Sequence, residues 1–163
     1  MTAALALVAL VAAQRLAELA WSASNTRRLL DAGAVEVGRG HYPLMIAFHT
    51  LWLVAVAAAA YQAQTIAWPA VALFLALQPL RAWVLLTLGR RWTTRIIVTP
   101  EPPVLAGPYR WVRHPNYLIV AAELATLPMV FGAWPLALIG SALHVPILVR
   151  RIAVEDAALS RRR

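Results

Sequence analysis

Gly107-Pro-Tyr-Arg-Trp-Val-Arg-His-Pro-Asn-Tyr117 decides how the rest of the chain is read. These eleven residues hold three arginine or histidine side chains, two prolines and three aromatics, with strongly apolar stretches on either side. Proline restricts the backbone and removes a donor, so the segment is kinked rather than helical. A kinked polar segment at the edge of apolar spans needs partners to hold it, and a bound ligand is the economical one. Thirty-four residues after Tyr117, Arg151-Ile-Ala-Val-Glu155 sets a second basic–acidic pair at the end of an apolar hairpin. The chemistry is expected where these two segments lie.

Working outward, the composition is that of a membrane protein. Of 163 residues, 61% are hydrophobic, against about 45–50% in soluble domains. The excess comes in long blocks. No room remains for a separate soluble domain, so residues 1–163 read as one membrane domain. Residues 1–88 form a three-helix scaffold, and 89–163 a loop, a hairpin and a final helix. The first apolar block has no basic region before it and runs into Gln14, Arg15 and Glu18, so it reads as a retained helix rather than a cleaved signal. With no cysteine, disulfides, thiolate ligands and a cysteine nucleophile are excluded. The net charge of +8 comes from arginine alone, since the chain has no lysine. The arginines flank apolar spans instead of lining a polar face, which argues against nucleic acid.

The expected fold is all-α and polytopic, with about five transmembrane helices. The segments run from about Ala3 to Trp21, Leu44 to Tyr61, Ile66 to Leu88, Tyr117 to Val130 and Trp134 to Val149. A span needs about 20 residues. The first three qualify, while the last two are short and contain Pro128 and Pro146. Charge alternates between connections. Arg27, Arg28 and Arg39 follow the first segment, and Arg90, Arg91, Arg95, Arg110 and Arg113 follow the third. Arg150, Arg151 and Arg161 to Arg163 form the tail, whereas Gln62-Ala-Gln-Thr and Phe131-Gly-Ala-Trp carry no charge. The basic connections and the C-terminus are therefore expected in the cytoplasm, with the N-terminus outside an inner (plasma) membrane. The loop from Gly89 to Asn116 contains Pro100, Pro102, Pro103 and Pro108 and is expected to be stiff, with Arg95 to Val98 a short extended run. The Asn25–Ala32 stretch reads as a polar helix that breaks at Gly33.

The last two segments read as a tight hairpin about Gly132. His114 and Arg151 each lie about eighteen residues from that turn, so at about 1.5 Å per residue they reach the same level. Arg151 and Glu155, four apart, share a helix face. One pocket built by both segments is expected. The bland alternative, interfacial arginines with a surface glutamate, does not account for the aromatics and prolines around His114.

These residues carry a resemblance. Gly-Pro-Tyr-Arg-x-x-Arg-His-Pro-x-Tyr, a hydrophobic hairpin and Arg-x-x-x-Glu resemble the isoprenylcysteine carboxyl methyltransferase superfamily of membrane methyltransferases. Upstream, Asn25-x-Arg-x-Leu-Leu, Gly33-Ala-Val-Glu36, Gly40-His-Tyr-Pro43 and Arg91-Trp-Thr-Thr-Arg95 resemble the bacterial branch found beside type III polyketide synthases. Members of that branch are associated with O-methylation of alkylpyrones or alkylresorcinols, which would place such a synthase functionally upstream. One departure is Ile119, where the superfamily often has glycine. The resemblance implies S-adenosylmethionine enclosed on the cytoplasmic side by the Gly107–Tyr117 loop and the final helix. Gly107, Tyr109, Arg113, His114, Pro115, Asn116, Tyr117 and Glu155 would hold it. The ring faces of Tyr109 and Tyr117 suit a sulfonium. Arg151 and Glu155 would be the catalytic pair, with Arg151 orienting the acceptor's oxygen and Glu155 binding the cofactor's ammonium or taking a proton. The glycine-rich turn of soluble methyltransferases is absent.

Other polar residues interrupt the apolar segments, where ionisable groups usually face a bundle interior or cavity. Arg15 and Glu18, three apart, are expected to pair with each other. Glu123 and His144 fall at the same hairpin depth and are expected to meet, either locking the hairpin or touching substrate. His49 reads as a satisfied interior histidine. No His-x-x-x-His pattern suggests a metal. The leading reading is a methyltransferase for a lipid-like acceptor: a polyketide enol or phenol ahead of a prenylcysteine carboxylate or an amine head group. A steroid-reductase-like oxidoreductase and a small non-catalytic transport or interaction protein are the alternatives, although a transporter's paired broken helices are not evident.

Overall fold

A computed structural model describes residues 2–160; the arginines at 161–163, expected in the cytoplasmic tail, lie outside them. Five helices dominate: α1 (Thr2–Asp31), α2 (Tyr42–Gln62), α3 (Trp68–Leu88), α4 (Pro115–Val130) and α5 (Trp134–Ser160). Two three-residue strands, β1 (Val35–Val37) and β2 (Ile96–Val98), pair antiparallel with Glu36 opposite Ile97. The fold is that of a polytopic, nearly all-helical membrane protein. Four helices are long and apolar enough to cross a membrane. The fifth, α4, has 16 residues, about 24 Å of helix, and is shorter than the ~30 Å hydrocarbon slab.

Two boundaries differ from the sequence reading. The helix α1 does not stop near Trp21 but continues through Asn25 to Asp31. The polar stretch contains good helix formers and nothing that breaks a helix before Gly33. There the amides of Gly33 and Ala34 bond back to the carbonyls of Leu30 and Leu29, a common helix-ending pattern. Likewise α5 runs past Val149 to Ser160, so Pro146 does not end it.

Between helices in a membrane the hydrophobic effect is largely absent, so close packing must hold them together. Leu127, Val56, Val130 and Ala60 are fully enclosed where α4 meets α2. Gly140 on α5 has no Cβ, and one placed there would lie 3.0 Å from Trp52 of α2. That glycine sets how closely α2 and α5 approach.

The arginine-rich end is knitted by residues from the upstream motifs. The amide of Asn25 donates to the carbonyls of Trp92 at 2.8 Å and Gly89 at 3.2 Å. Glu36 receives Arg95 at 2.8 Å and Arg39 at 3.0 Å, and the Arg95 guanidinium lies 4.5 Å over the Tyr42 ring. Thr94 is a hub: its hydroxyl meets Ser22 of α1 at 2.8 Å and Tyr42 of α2 at 3.0 Å. These bonds tie the 89–98 loop and the small sheet across the helix ends.

Candidate functional site

The Arg-His-Pro loop and the Arg-x-x-x-Glu helix meet. Proline at the first position of α4 starts that helix at Pro115, which puts His114 just outside it and Tyr117 in its first turn. On α5, Arg151 and Glu155 face them. The Arg151 Nε donates to the Tyr117 hydroxyl at 2.7 Å, and that hydroxyl donates in turn to the Glu155 carboxylate. The His114 ring stacks on Tyr117 with centroids 5.2 Å apart. Its Nε2 lies 3.1 Å from Asp156 and its Nδ1 3.8 Å from Glu155.

Arg151 is the anchor. It is only 7% exposed. Its Nη2 donates to the Thr94 carbonyl at 2.8 Å and its Nη1 approaches the Met45 sulfur at 3.4 Å. One guanidinium thus joins α4, α5, α2 and the 89–98 loop. A buried arginine needs such partners, because an unpaired charge there costs several kcal/mol. Its position is correspondingly fixed.

The other expected residues divide. Burial, and then the charge of Glu155, push the Tyr109 phenol up from its ordinary value, which keeps it neutral and a donor at physiological pH. The side-chain oxygen of Asn116, next to Tyr117 in sequence, is buried with no hydrogen-bond partner among the described residues. Gly107 has a packing reason to be glycine. It sits at φ +55° and a Cβ would come 2.6 Å from the Thr87 hydroxyl, so it docks the loop on the end of α3. Arg113 is exposed and makes no ion pair among the described residues. The structure does not bring it to the cluster.

The profile of the isoprenylcysteine carboxyl methyltransferase (ICMT) family matches residues 70–161, which contain both halves of this cluster. The chain belongs to the ICMT family. It is similar to YpbQ, an uncharacterized protein of Bacillus subtilis (strain 168), at 34% identity over 158 residues, 94% of each chain. It is also similar to an uncharacterized protein of Haemophilus influenzae, at 26% identity over 159 residues, 93% of this chain and 92% of that one. No solved structure matches the chain.

Ile119, the departure noted in the motif, lies in the buried group against which Tyr109 packs. It is buried against Val84, Leu85 and Trp92, on the side of α4 that faces α3. Residues not singled out by sequence were Thr94, Met45 and Asp156. Thr94 lies within a motif already noted, and Asp156 directly follows Glu155. Nothing local marked Met45.

The expected pairing of Glu123 with His144 does not occur. Glu123 faces α1 and α3, accepting from Arg81 at 3.0 Å, Arg15 at 2.9 Å and Gln78 at 3.0 Å. Glu18 receives both arginines too. Arg15 and Glu18 do pair as expected, but as half of a four-charge clamp across α1, α3 and α4. His144 faces α2 instead, stacked on Phe48 with centroids 5.6 Å apart and 5.3 Å from the ring of His49. Equal depth in a hairpin fixes height, not the direction a helix turns its side chains.

Proposed function

We propose that this ICMT-family protein is an S-adenosylmethionine-dependent O-methyltransferase. Its acceptor would be lipid-like, an alkylpyrone or alkylresorcinol hydroxyl. The observation that carries the reading is the His114–Tyr117–Arg151–Glu155 cluster, in which a buried guanidinium reaches the Glu155 carboxylate through the Tyr117 hydroxyl and the His114 ring lies by Glu155 and Asp156. The donor set fits the cofactor. Glu155 and Asp156 suit an ammonium, and the buried Asn116 oxygen needs a donor that a ligand can supply. Tyr117 already has a cation near its face, with the Arg151 guanidinium 5.4 Å from the ring centroid. This leaves Tyr109 as the ring for a sulfonium. His114 and Pro115 shape the loop between them.

When bound, the cofactor supplies an electrophilic methyl group. The chain contributes alignment, worth up to ~7–11 kcal/mol in favourable cases. Arg151 holds the acceptor's oxygen by a charge-assisted hydrogen bond, and Glu155 accepts the hydroxyl proton where the acceptor is a phenol. The arginine-rich end is assigned to the cytoplasm of the inner membrane, with the N-terminus outside, which lets a charged cofactor enter from water and an alkyl-tailed acceptor from the bilayer. A type III polyketide synthase would make such an acceptor. The family's description favours a second reading, a prenylcysteine-type carboxyl acceptor.

Two measurements test this. Calorimetry on the purified protein should detect S-adenosylmethionine and its demethylated product. Labelled methyl should pass to an alkylresorcinol or alkylpyrone more readily than to a prenylcysteine. A folded protein that binds neither cofactor form would remove the methyltransferase reading.

A further inference from the structure

Between α2 and α5, one to two turns from Arg151, lies a group of flat polar side chains that the cluster above does not use. His49 Nδ1 lies 2.8 Å from the Met45 carbonyl. A carbonyl only accepts, so Nδ1 carries the proton and Nε2 presents a lone pair. Among the described residues that lone pair has no partner. His144 is 5% exposed, lies 5.3 Å from His49 by ring centroids, and likewise has no hydrogen-bond partner among the described residues. Deeper in the same seam the Trp52 indole N–H is enclosed where α2 meets Gly140 of α5 and has no partner among the described residues. The region connects to the cluster through Met45, whose carbonyl holds His49 and whose sulfur meets Arg151.

Polar groups left unpaired inside a bilayer cost free energy unless something satisfies them. The four-charge clamp shows that this fold can pair its intramembrane polar groups completely. The two imidazoles are left without partners at His49 Nε2 and on the His144 ring among the described residues, and they offer both kinds of group: a lone pair on His49 and, on the neutral ring of His144, an N–H. Phe48 and His144 lie nearly parallel, at 13°, which presents a flat wall.

We propose that the α2–α5 seam binds the ring of the acceptor, a planar ring bearing at least two oxygens and an alkyl tail. A hydroxyl of that ring donates to His49, an oxygen accepts from His144, and the ring lies beside the Phe48–His144 stack. This rests on the methyltransferase reading and narrows its acceptor to a hydroxylated ring. An ionised prenylcysteine carboxylate, which only accepts, would leave the His49 lone pair unmet.

The test compares two probes, a long-chain alkylresorcinol and the alkylbenzene of the same tail, bound to the full-length protein in nanodiscs. The wild type should prefer the alkylresorcinol by ~10-fold or more, the size of one or two buried hydrogen bonds. His144→Phe, which keeps the stack, and His49→Leu should each erase most of that preference, and His144→Gln should restore part of it. Should either apolar variant fail to fold, the other gives the same readout. Cofactor binding is measured on every preparation. If wild-type protein fails to bind cofactor, the methyltransferase reading falls. If it binds cofactor but takes both probes equally, or if the preference survives every apolar change that folds, the seam proposal alone is overturned. Methyl transfer to a prenylcysteine unaffected by His144→Phe would overturn it as well.

Discussion

Two polar regions lie within this bundle, and they are solved in opposite ways. The clamp of Arg15, Glu18, Arg81 and Glu123 is neutral as a set and closed upon itself. Arg81, 5% exposed, reaches both carboxylates, and Gln14 and Gln78 fill the remaining acceptor positions. The region around His114, Tyr117, Asn116 and the α2–α5 seam is well ordered by Arg151 but incomplete. Among the described residues the Asn116 amide oxygen, the Trp52 indole N–H, the Nε2 of His49 and the His144 ring lack partners. The contrast teaches that charge inside a membrane does not by itself mark function. What separates scaffold from site is whether the polar groups satisfy one another.

The largest effect that would break this contrast is in the clamp. Arg81→Ala leaves two buried carboxylates to share Arg15 and should cost about 3–5 kcal/mol of stability. Thermal unfolding in detergent, followed by helical content, should show a marked loss, and an unchanged midpoint would mean that the clamp does not hold α1, α3 and α4. In the site the expected loss is in rate. Arg151→Ala should lower turnover at saturating cofactor by ~10²–10³-fold, the usual effect of deleting one oxyanion partner. Turnover equal to wild type would return Arg151 to a purely structural role.

Sharper still is Glu155→Gln. It should weaken cofactor binding ~10-fold or more by calorimetry, as loss of a charge-assisted bond does. With a pyrone acceptor, already ionised near neutrality, turnover at saturating cofactor should hold. With a resorcinol it should fall and recover partly at high pH, because bulk base then removes the proton that Glu155 would have accepted. The smallest effect is predicted at the rim of the small sheet. Arg39 pairs with Glu36 but is 72% exposed, and such pairs are worth about 0–1 kcal/mol. Arg39→Ala should leave unfolding and turnover almost unmoved, since Arg95 still holds Glu36.

By itself the sequence determined the class of protein, the apolar helices, the extended run that became β2 and the meeting of the His114 and Arg151 segments. Those follow from one-dimensional rules: span length, the period of the helix and the equal distance of both segments from Gly132. It also placed Arg15 beside Glu18, a local pair on one helix face. Tertiary structure alone decided that Arg81 and Glu123 complete that pair, that Glu123 and His144 turn to different neighbours, and that Thr94 and Met45 join Arg151. Each of these depends on how a helix is rotated about its axis. In a bilayer, where every helix is apolar nearly all round, no amphipathic stripe records that rotation; only the packing of one helix against the next fixes it.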